Sequence, residues 1–239
     1  MWRDLARGAL MVSCLGLASQ AAAEIASARY TDPTSRYPHG VLGDPSEYTT
    51  LEVREASGKL HRLRWDAPMV FEDVAPRLVD MTGDGAPEVL VVESHERLGA
   101  RFRIYELRDG ELRPFAGNPH IGTRFRWLAI VGAGDLNGDG VMEVAYVDRP
   151  HLAKTLRVWR VTAGGDVAEI ASLPGVTNHR IGEVDIAGGI RDCGAGPEMI
   201  VADARWQRLL AIRFAGSGLT TEDIGSHGGR ASFAEAMDC

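Results

Sequence analysis

Cysteine is scarce in this sequence, and so are the signs of several common protein classes. The 239 residues include three cysteines, too few and too isolated to form a zinc site. No apolar run is long enough to span a membrane. The formal net charge is −7 at pH 7, so there is no basic excess of the kind that binds nucleic acid. We therefore expect neither a membrane span nor a nucleic-acid partner.

The motifs of common enzyme classes are missing as well. The sequence has no G-x-S-x-G, no H-E-x-x-H, no phosphate-binding loop and no dinucleotide fingerprint. The stretch "ESHER" at 93–97 has one histidine where a zinc helix needs two. We expect no enzymatic activity. The alternative is a metal-dependent hydrolase or lyase whose histidines come from several parts of the chain.

The N-terminal segment 1–23 has the features of a signal peptide. Two arginines precede an apolar stretch at 9–18, and three alanines at 21–23 offer small residues for cleavage. We expect export to the periplasm or the medium, with 24–239 forming a single domain. The alternative is a first structural helix.

The cysteines fit export. Removal of the signal peptide leaves Cys193 and Cys239, and an even pair in an oxidising compartment predicts one disulfide. Two buried free thiols are the alternative. Lipid anchoring through Cys14 is a weaker alternative to cleavage, because Met11 suits the position three before it poorly.

An internal repeat organises the rest of the chain. "DMTGDGAPEVLVVES" at 80–94 aligns with "DLNGDGVMEVAYVDR" at 135–149, and the same spacing leads to "IRDCGAGPEMIVADA" at 190–204, a degenerate third copy. Alternating apolar segments follow each copy, separated by glycine-containing turns. This pattern predicts four short strands per repeat and an all-β fold.

The repeats predict a ring of sheets, because neighbouring sheets in a ring cover each other's faces. We expect a small β-propeller of four blades with four antiparallel strands each, closed by a C-terminal strand that joins the N-terminal blade. A fifth sheet hidden in the loops is the alternative. The predicted units are 75–120, 125–175, 180–226, and a split unit of 39–66 plus 231–239.

The motif D-x-[DNT]-G-D-G-x-x-E between two strands resembles the FG-GAP/VCBS repeats of integrin α-subunits and many secreted bacterial proteins. Two copies match it well. The resemblance implies a β-propeller with calcium in these loops, and it implies little about partners.

The chemistry of the loops fits calcium, which prefers several hard oxygen ligands. Each site would consist of the side chains at positions one, three, five and nine of the motif and the backbone carbonyl at position seven. An EF-hand would need its closing glutamate at position twelve, where Tyr146 stands. The alternative is a metal-free Asp-Gly turn. The predicted ligands of two structural calcium ions are Asp80, Thr82, Asp84, Ala86 and Glu88, and Asp135, Asn137, Asp139, Val141 and Glu143.

The third copy has Ile190 and Gly194 where acids should be, so we expect no metal there. Instead, the predicted disulfide would stabilise this region.

Strand alternation places a second set of polar residues at the end opposite the calcium loops. By analogy with integrins, we expect this face to bind an unknown protein or ligand. The alternative is that each histidine caps a turn. The candidate residues are His95, His120, His151, His179, His227, Arg149, Arg180 and Trp206.

Overall fold

The computed structural model describes residues 24–216 and 218–239. These residues form seventeen β-strands and one short α-helix, which confirms the predicted all-β fold. No helix in this part of the chain has the length and apolar character needed to cross a membrane. The predicted signal peptide, residues 1–23, and the alternative anchor at Cys14 lie outside the described residues.

The first sheet has eight strands in two halves. The N-terminal half consists of β1 (Ile25–Thr34), β2 (Glu47–Glu55) and β3 (Leu60–Arg64). The first-repeat half consists of β4 (Met69–Phe71), β5 (Arg77–Val79), β6 (Glu88–His95), β7 (Gly99–Arg108) and β8 (Glu111–Gly117). The halves join where Tyr48 pairs with Phe71. Because β4 and β5 both pair with β6, they are two pieces of one interrupted strand.

The second and third repeats each form a separate antiparallel sheet. The second sheet consists of β9 (Leu128–Gly134), β10 (Met142–Asp148), β11 (Thr155–Val161) and β12 (Val167–Pro174). The third sheet consists of β13 (Val176–Thr177), β14 (Gly189–Asp192), β15 (Pro197–Asp203), β16 (Arg208–Ala215) and β17 (Gly218–Ser226).

The apolar core lies in layers between these sheets, and the alternation of each second strand explains why. In β10, Val144 and Tyr146 pack toward the first repeat, whereas Ala145 and Val147 pack toward the third. Successive side chains of a strand point to opposite faces, so a strand that is apolar throughout is buried on both sides. Equivalent alternation in β6 and β15 supplies the layers on either side.

The first strands of neighbouring repeats approach closely, as their small residues predict. A Cβ atom added to Gly132 in β9 would lie 2.5 Å from the Cδ1 atom of Ile190 in β14. Glycine at this position lets the two strands come together without a clash.

The C-terminal segment differs from the prediction. The sequence predicts a strand of the N-terminal blade at 231–239, but Arg230–Met237 is a helix, α1. It packs on the outer face of the third sheet, where Phe233 is buried with Ile200 and Leu209. Alanine, glutamate and methionine favour helix, and the segment has no β-branched residue. The closed ring of four blades is therefore not confirmed.

The N-terminal part also differs from the prediction. The sequence predicts that the apolar run at 39–44 is the second strand of the split unit, between the C-terminal strand and the strand at 49–53, but 41–45 consists of turns and bends. The place predicted for 39–44, beside the strand at 49–53, is taken by β1, which pairs with β2 along its length. Val41 is 2% exposed and packs in the core between the first and second repeats.

Candidate functional site

The antiparallel register places the loops at two opposite ends of the sheets. Loops between first and second strands lie at one end, which we call the metal-loop end: 80–87, 135–141 and 193–196. We call the other end the mouth, formed chiefly by loops 35–46, 118–127, 149–154 and 178–188. Each end holds one of the predicted sets of site residues.

In the first loop, the acidic side chains bond to the backbone of the loop itself. The Asp80 carboxylate accepts hydrogen bonds from three backbone N–H groups, and Asp84 accepts one. Glu88 is 6% exposed, and burial, together with the charges of Asp84 and Asp80, raises its pKa to about 7. The Oγ1 atom of Thr82 is buried without a hydrogen-bond partner in the described residues.

The second loop has the same backbone bonds but contains a cation of its own. Asp135 accepts hydrogen bonds from loop N–H groups, and Asn137 does so from Asp139. Arg160 of β11 contacts the carboxylate of Asp139 and lies 3.1 Å from Oε1 of the buried Glu143. One guanidinium therefore already contacts both of the acids at positions five and nine of the motif.

A cavity of about 260 Å³ opens at the mouth. Its wall is aromatic and aliphatic, with two histidines and two arginines. The lining residues are His39, Phe125, Arg126, Trp127, Arg149, Pro150, His151, Leu152 and Ile181. Leu152 and Ile181 are 64% and 72% exposed at the rim. A concave site with an apolar wall and a few polar groups is the usual form of a binding pocket.

A buried polar network holds the wall of this cavity. The indole Nε1 of Trp127 donates to the backbone oxygen of Glu72 at 2.8 Å. The Glu72 carboxylate has no exposed surface and contacts Nδ1 of His39 and Oγ of Ser94. Burial raises the pKa of Glu72, and the hydrogen bond from His39 opposes this shift. Because every member is bonded, the network fixes the positions of the histidine and indole rings.

His151 and His179 form a hydrogen-bonded pair beside the cavity. His179 Nε2 donates to the backbone oxygen of Glu183 at 2.9 Å, so its Nδ1 accepts from His151 Nε2 at 3.0 Å. Burial, and then the proximity of His179, lowers the pKa of His151 to about 4. Burial also lowers the pKa of His179. Both rings are therefore neutral at pH 7.

The predicted binding residues of the mouth fall into three groups. His95 and His120 have ring centroids 5.7 Å apart. Arg180 lies 4.3 Å over the Trp206 ring, which packs on His227 at 5.2 Å. The groups are His95 with His120; Arg149, His151 and His179; and Arg180, Trp206 and His227. The second group contributes to the cavity wall through Arg149 and His151.

Acids that recur once per repeat at the mouth have structural partners. Glu93 bonds to Arg101 at 2.9 Å, and Asp148 bonds to Arg149 and Arg157. Asp203 accepts N–H groups from its own turn. Arg149 is thus already paired with a carboxylate, which weakens its candidacy as a ligand-binding cation.

The sequence did not point to much of the cavity wall. His39, Phe125, Trp127, Leu152 and Ile181 lie in loops between the repeated strands, where the period of the repeat gives no information. The one available signal was the clustering of aromatic and apolar residues with His and Arg in those loops.

A family model described as an FG-GAP-like repeat matches residues 80–146. The chain contains an FG-GAP-like repeat. The matched span begins at Asp80 and ends at Tyr146 in β10, so it includes both loops with the complete motif. The resemblance inferred from the motif is confirmed. A search of curated proteins found no match to this chain.

The FG-GAP motif implies calcium, and the two loops differ in how well they fit it. Within the described residues, no group of three or more His, Cys, Asp or Glu side chains is arranged to hold a metal ion. A cation would therefore have to draw the carboxylates away from the backbone. The first loop fits, since Thr82 has an unpartnered buried oxygen and Glu88 a buried carboxylate. The second loop does not fit as it stands, since Arg160 occupies its acids.

The third loop of the FG-GAP series is closed by covalent and ionic bonds. A disulfide joins Cys193 in this loop to Cys239 after α1, with Cα atoms 5.6 Å apart. Glu198 is paired with Arg191 and Arg213. The predicted pairing of the two cysteines is present, and it attaches the C-terminal helix to the third sheet.

Of the histidines considered for the hydrolase alternative, His179 has both ring nitrogens hydrogen-bonded within the protein. The nitrogens of His151 and His179 bond to each other, and His120 Nδ1 bonds to the backbone oxygen of Gly99 at 2.7 Å. These bonds use one ring nitrogen of His120 and one of His151.

Proposed function

We propose that this protein is an exported FG-GAP-type binding module that captures a segment of a protein partner in the mouth cavity. The observation that carries the proposal is the cavity itself, with Trp127 buried in its wall and Leu152 and Ile181 exposed at its rim. Apolar side chains so exposed around a concave site are typical of an interaction surface. A bound segment would cover them.

The charges around the cavity favour a partner with a carboxylate. Arg126 lines the cavity, and Arg124 stacks on Phe125 with its guanidinium carbon 4.4 Å from the ring centroid. Within the described residues, neither arginine forms an ion pair with an acid. Arginine binds carboxylates through two parallel hydrogen bonds. The expected partner segment therefore carries an apolar side chain next to an aspartate, a glutamate or a C-terminal carboxylate.

The backbone supports a preformed site. Phe125 and Arg149 both line the cavity and have positive φ angles, 54° and 45°. Non-glycine residues adopt this conformation when their surroundings hold them in it, and such residues concentrate at functional sites. A preformed wall lowers the entropy cost of binding.

The remaining parts of the proposal are export and calcium. The N-terminal sequence and the disulfide support export. Calcium would serve structure, with the oxygens of Asp80, Thr82, Asp84 and Glu88 holding it at the end away from the mouth. Its bound charge would offset the repulsion among these acids.

Selection from a displayed random peptide library would test the proposal. We expect enriched peptides to share an aromatic or branched aliphatic residue beside an acidic one. The affinity for a selected peptide would be measured by fluorescence polarisation. It should fall at least tenfold in the double variant Ile181→Ser/Leu152→Ser, and at least tenfold in the single variant Arg126→Gln.

Leu98→Ser is the matched control, because Leu98 is 41% exposed at the same end of the sheets but does not line the cavity. This variant should bind as the wild type does. Absence of any enriched motif, or equal binding by the cavity variants, would contradict the proposal.

A further inference from the structure

Three glutamates occupy the same place in the three repeats. Glu88, Glu143 and Glu198 follow one another at the period of the repeat, and each lies at the start of the second strand of its repeat. All three are buried, with exposures of 6%, 0% and 3%. A buried carboxylate is costly without hydrogen-bond donors and a cation. The backbone N–H of Met81 donates to Glu88 and that of Leu136 to Glu143, so the repeats differ in the cation and not in this donor.

The residue facing each glutamate on the third strand differs between the repeats. Glu143 pairs directly with Arg160. One residue beyond the Met199–Ile212 pair, Arg213 faces Glu198. One residue beyond the Val89–Tyr105 pair, Glu106 faces Glu88. Cross-strand neighbours of this kind lie close enough to interact strongly.

The contacts of the two arginines show what they do. Arg160 bridges Asp139 and Glu143, joining the fifth and ninth positions of the FG-GAP motif. Arg213 binds Glu198 at 2.5 Å and also donates to the backbone of the third loop at Ala195. Each guanidinium connects the loop to the buried glutamate, as a coordinated cation would.

The first repeat has acids where the others have this cation. Within the described residues, no ion pair joins Asp80, Asp84 or Glu88 to a basic side chain. Glu106 adds a further acid beside the loop and is itself paired with Arg108 at 3.9 Å. The Oγ1 atom of Thr82, which has no hydrogen-bond partner in the described residues, is free to coordinate a cation.

We propose that arginine replaces calcium in the second and third repeats, so that the protein binds one calcium ion, in the first loop. Arg160 and Arg213 are the built-in cations. This inference is independent of ligand binding at the mouth. It makes the better-preserved second motif the one that does not require metal.

Calorimetric titration of the chelator-treated, exported protein with calcium alone would test this. We expect one ion per chain in the wild type. Asp80→Asn with Asp84→Asn should abolish binding and the calcium-dependent rise in melting temperature, whereas Asp135→Asn with Asp139→Asn should leave both intact. Glu106→Arg should weaken calcium binding at least tenfold.

Removal of Arg160, the arginine of the second repeat, tests the opposite change, the gain of a calcium ion. Arg160→Gln should raise the stoichiometry from one to two, and Arg157→Gln, on the same strand but paired with Asp148, should leave it at one. Two ions or none in the wild type would overturn the proposal. So would loss of binding in the Asp135/Asp139 variant, a result that does not depend on whether Arg160→Gln folds.

Discussion

His151 shows how strongly the mouth alters a single side chain. Its ring bonds to His179, stacks on Trp127 with centroids 6.5 Å apart, and lies near His39 and Lys154. Burial and these neighbours lower its pKa to about 4, so the folded protein holds it neutral. The unfolded chain would bind a proton at about pH 6.5. Folding stability therefore contains a contribution that depends on pH.

The sign of this contribution follows from the lowered pKa. It is fully present above pH 6.5 and is lost as the pH falls toward 4. We predict that His151→Gln loses less unfolding free energy between pH 7 and pH 5 than the wild type does. Urea denaturation at a series of pH values would measure this. Between pH 7 and 8 the two curves should run parallel, and equal losses at pH 5 would contradict the assignment.

The identity of the loop residues could be predicted at this scale, but their partners could not. The spacing of Asp135, Asn137 and Asp139 is visible in the sequence because the residues are neighbours. Arg160 is far from Glu143 along the chain, and only the register of β10 with β11 brings the two together. A local sequence motif cannot identify a cation that comes from a neighbouring strand.

The strands that belong to the repeats could be predicted from the sequence, whereas the elements outside the repeats could not. The alternating apolar residues of β6, β10 and β15 predicted strands because packing on both faces requires that pattern. In contrast, β1 contains Asp32 at a positive φ of 56° followed by Pro33, which obscures its strand character. The segment that contains α1 belongs to no complete copy of the repeat, and its assignment to a strand of the split unit is wrong.

Loop 35–46, which is not part of the repeat, contacts residues that are distant in the sequence. The hydroxyl of Tyr37 accepts a hydrogen bond from the backbone N–H of Phe125 at 2.9 Å, and Val41 accepts one from Gly182 at 3.0 Å. These contacts tie the N-terminal part to the loops before the second sheet and within the third. The loop thereby connects the N-terminal part of the chain to the third repeat, a connection that the sequence predicts for a C-terminal strand.

We predict that Tyr37→Phe lowers the unfolding free energy by about 1 kcal/mol, because the partly buried N–H of Phe125 loses its acceptor. It should also speed hydrogen exchange in 118–127. Tyr48→Phe is the matched control, since within the described residues the Tyr48 hydroxyl has no side-chain hydrogen bond. Equal effects of the two substitutions would show that the contact contributes nothing.

Across the whole molecule, the apolar layers form a series that ends at α1. The layers lie between the N-terminal half and the first repeat, between successive repeats, and between the third sheet and the helix. A stack of repeats exposes apolar surface at its last member unless another element covers it. Phe233 performs this role on Ile200 and Leu209, and the Cys193–Cys239 bond secures the helix. A helix of two turns is too short to be stable alone, so it depends on this attachment.

Removal of residues 230–239, together with Cys193→Ser, would therefore expose the outer face of the third sheet. We predict that the truncated protein binds an anilinonaphthalene dye several times more strongly than the intact protein and self-associates in size-exclusion chromatography. Full-length Cys193→Ser with Cys239→Ser is the control, because it lacks the disulfide but keeps Phe233 in place. It should be less stable by about 2–4 kcal/mol yet remain monomeric and dye-negative. A truncated protein that also stayed monomeric and dye-negative would mean that another part of the chain covers this face, as it would in a closed ring.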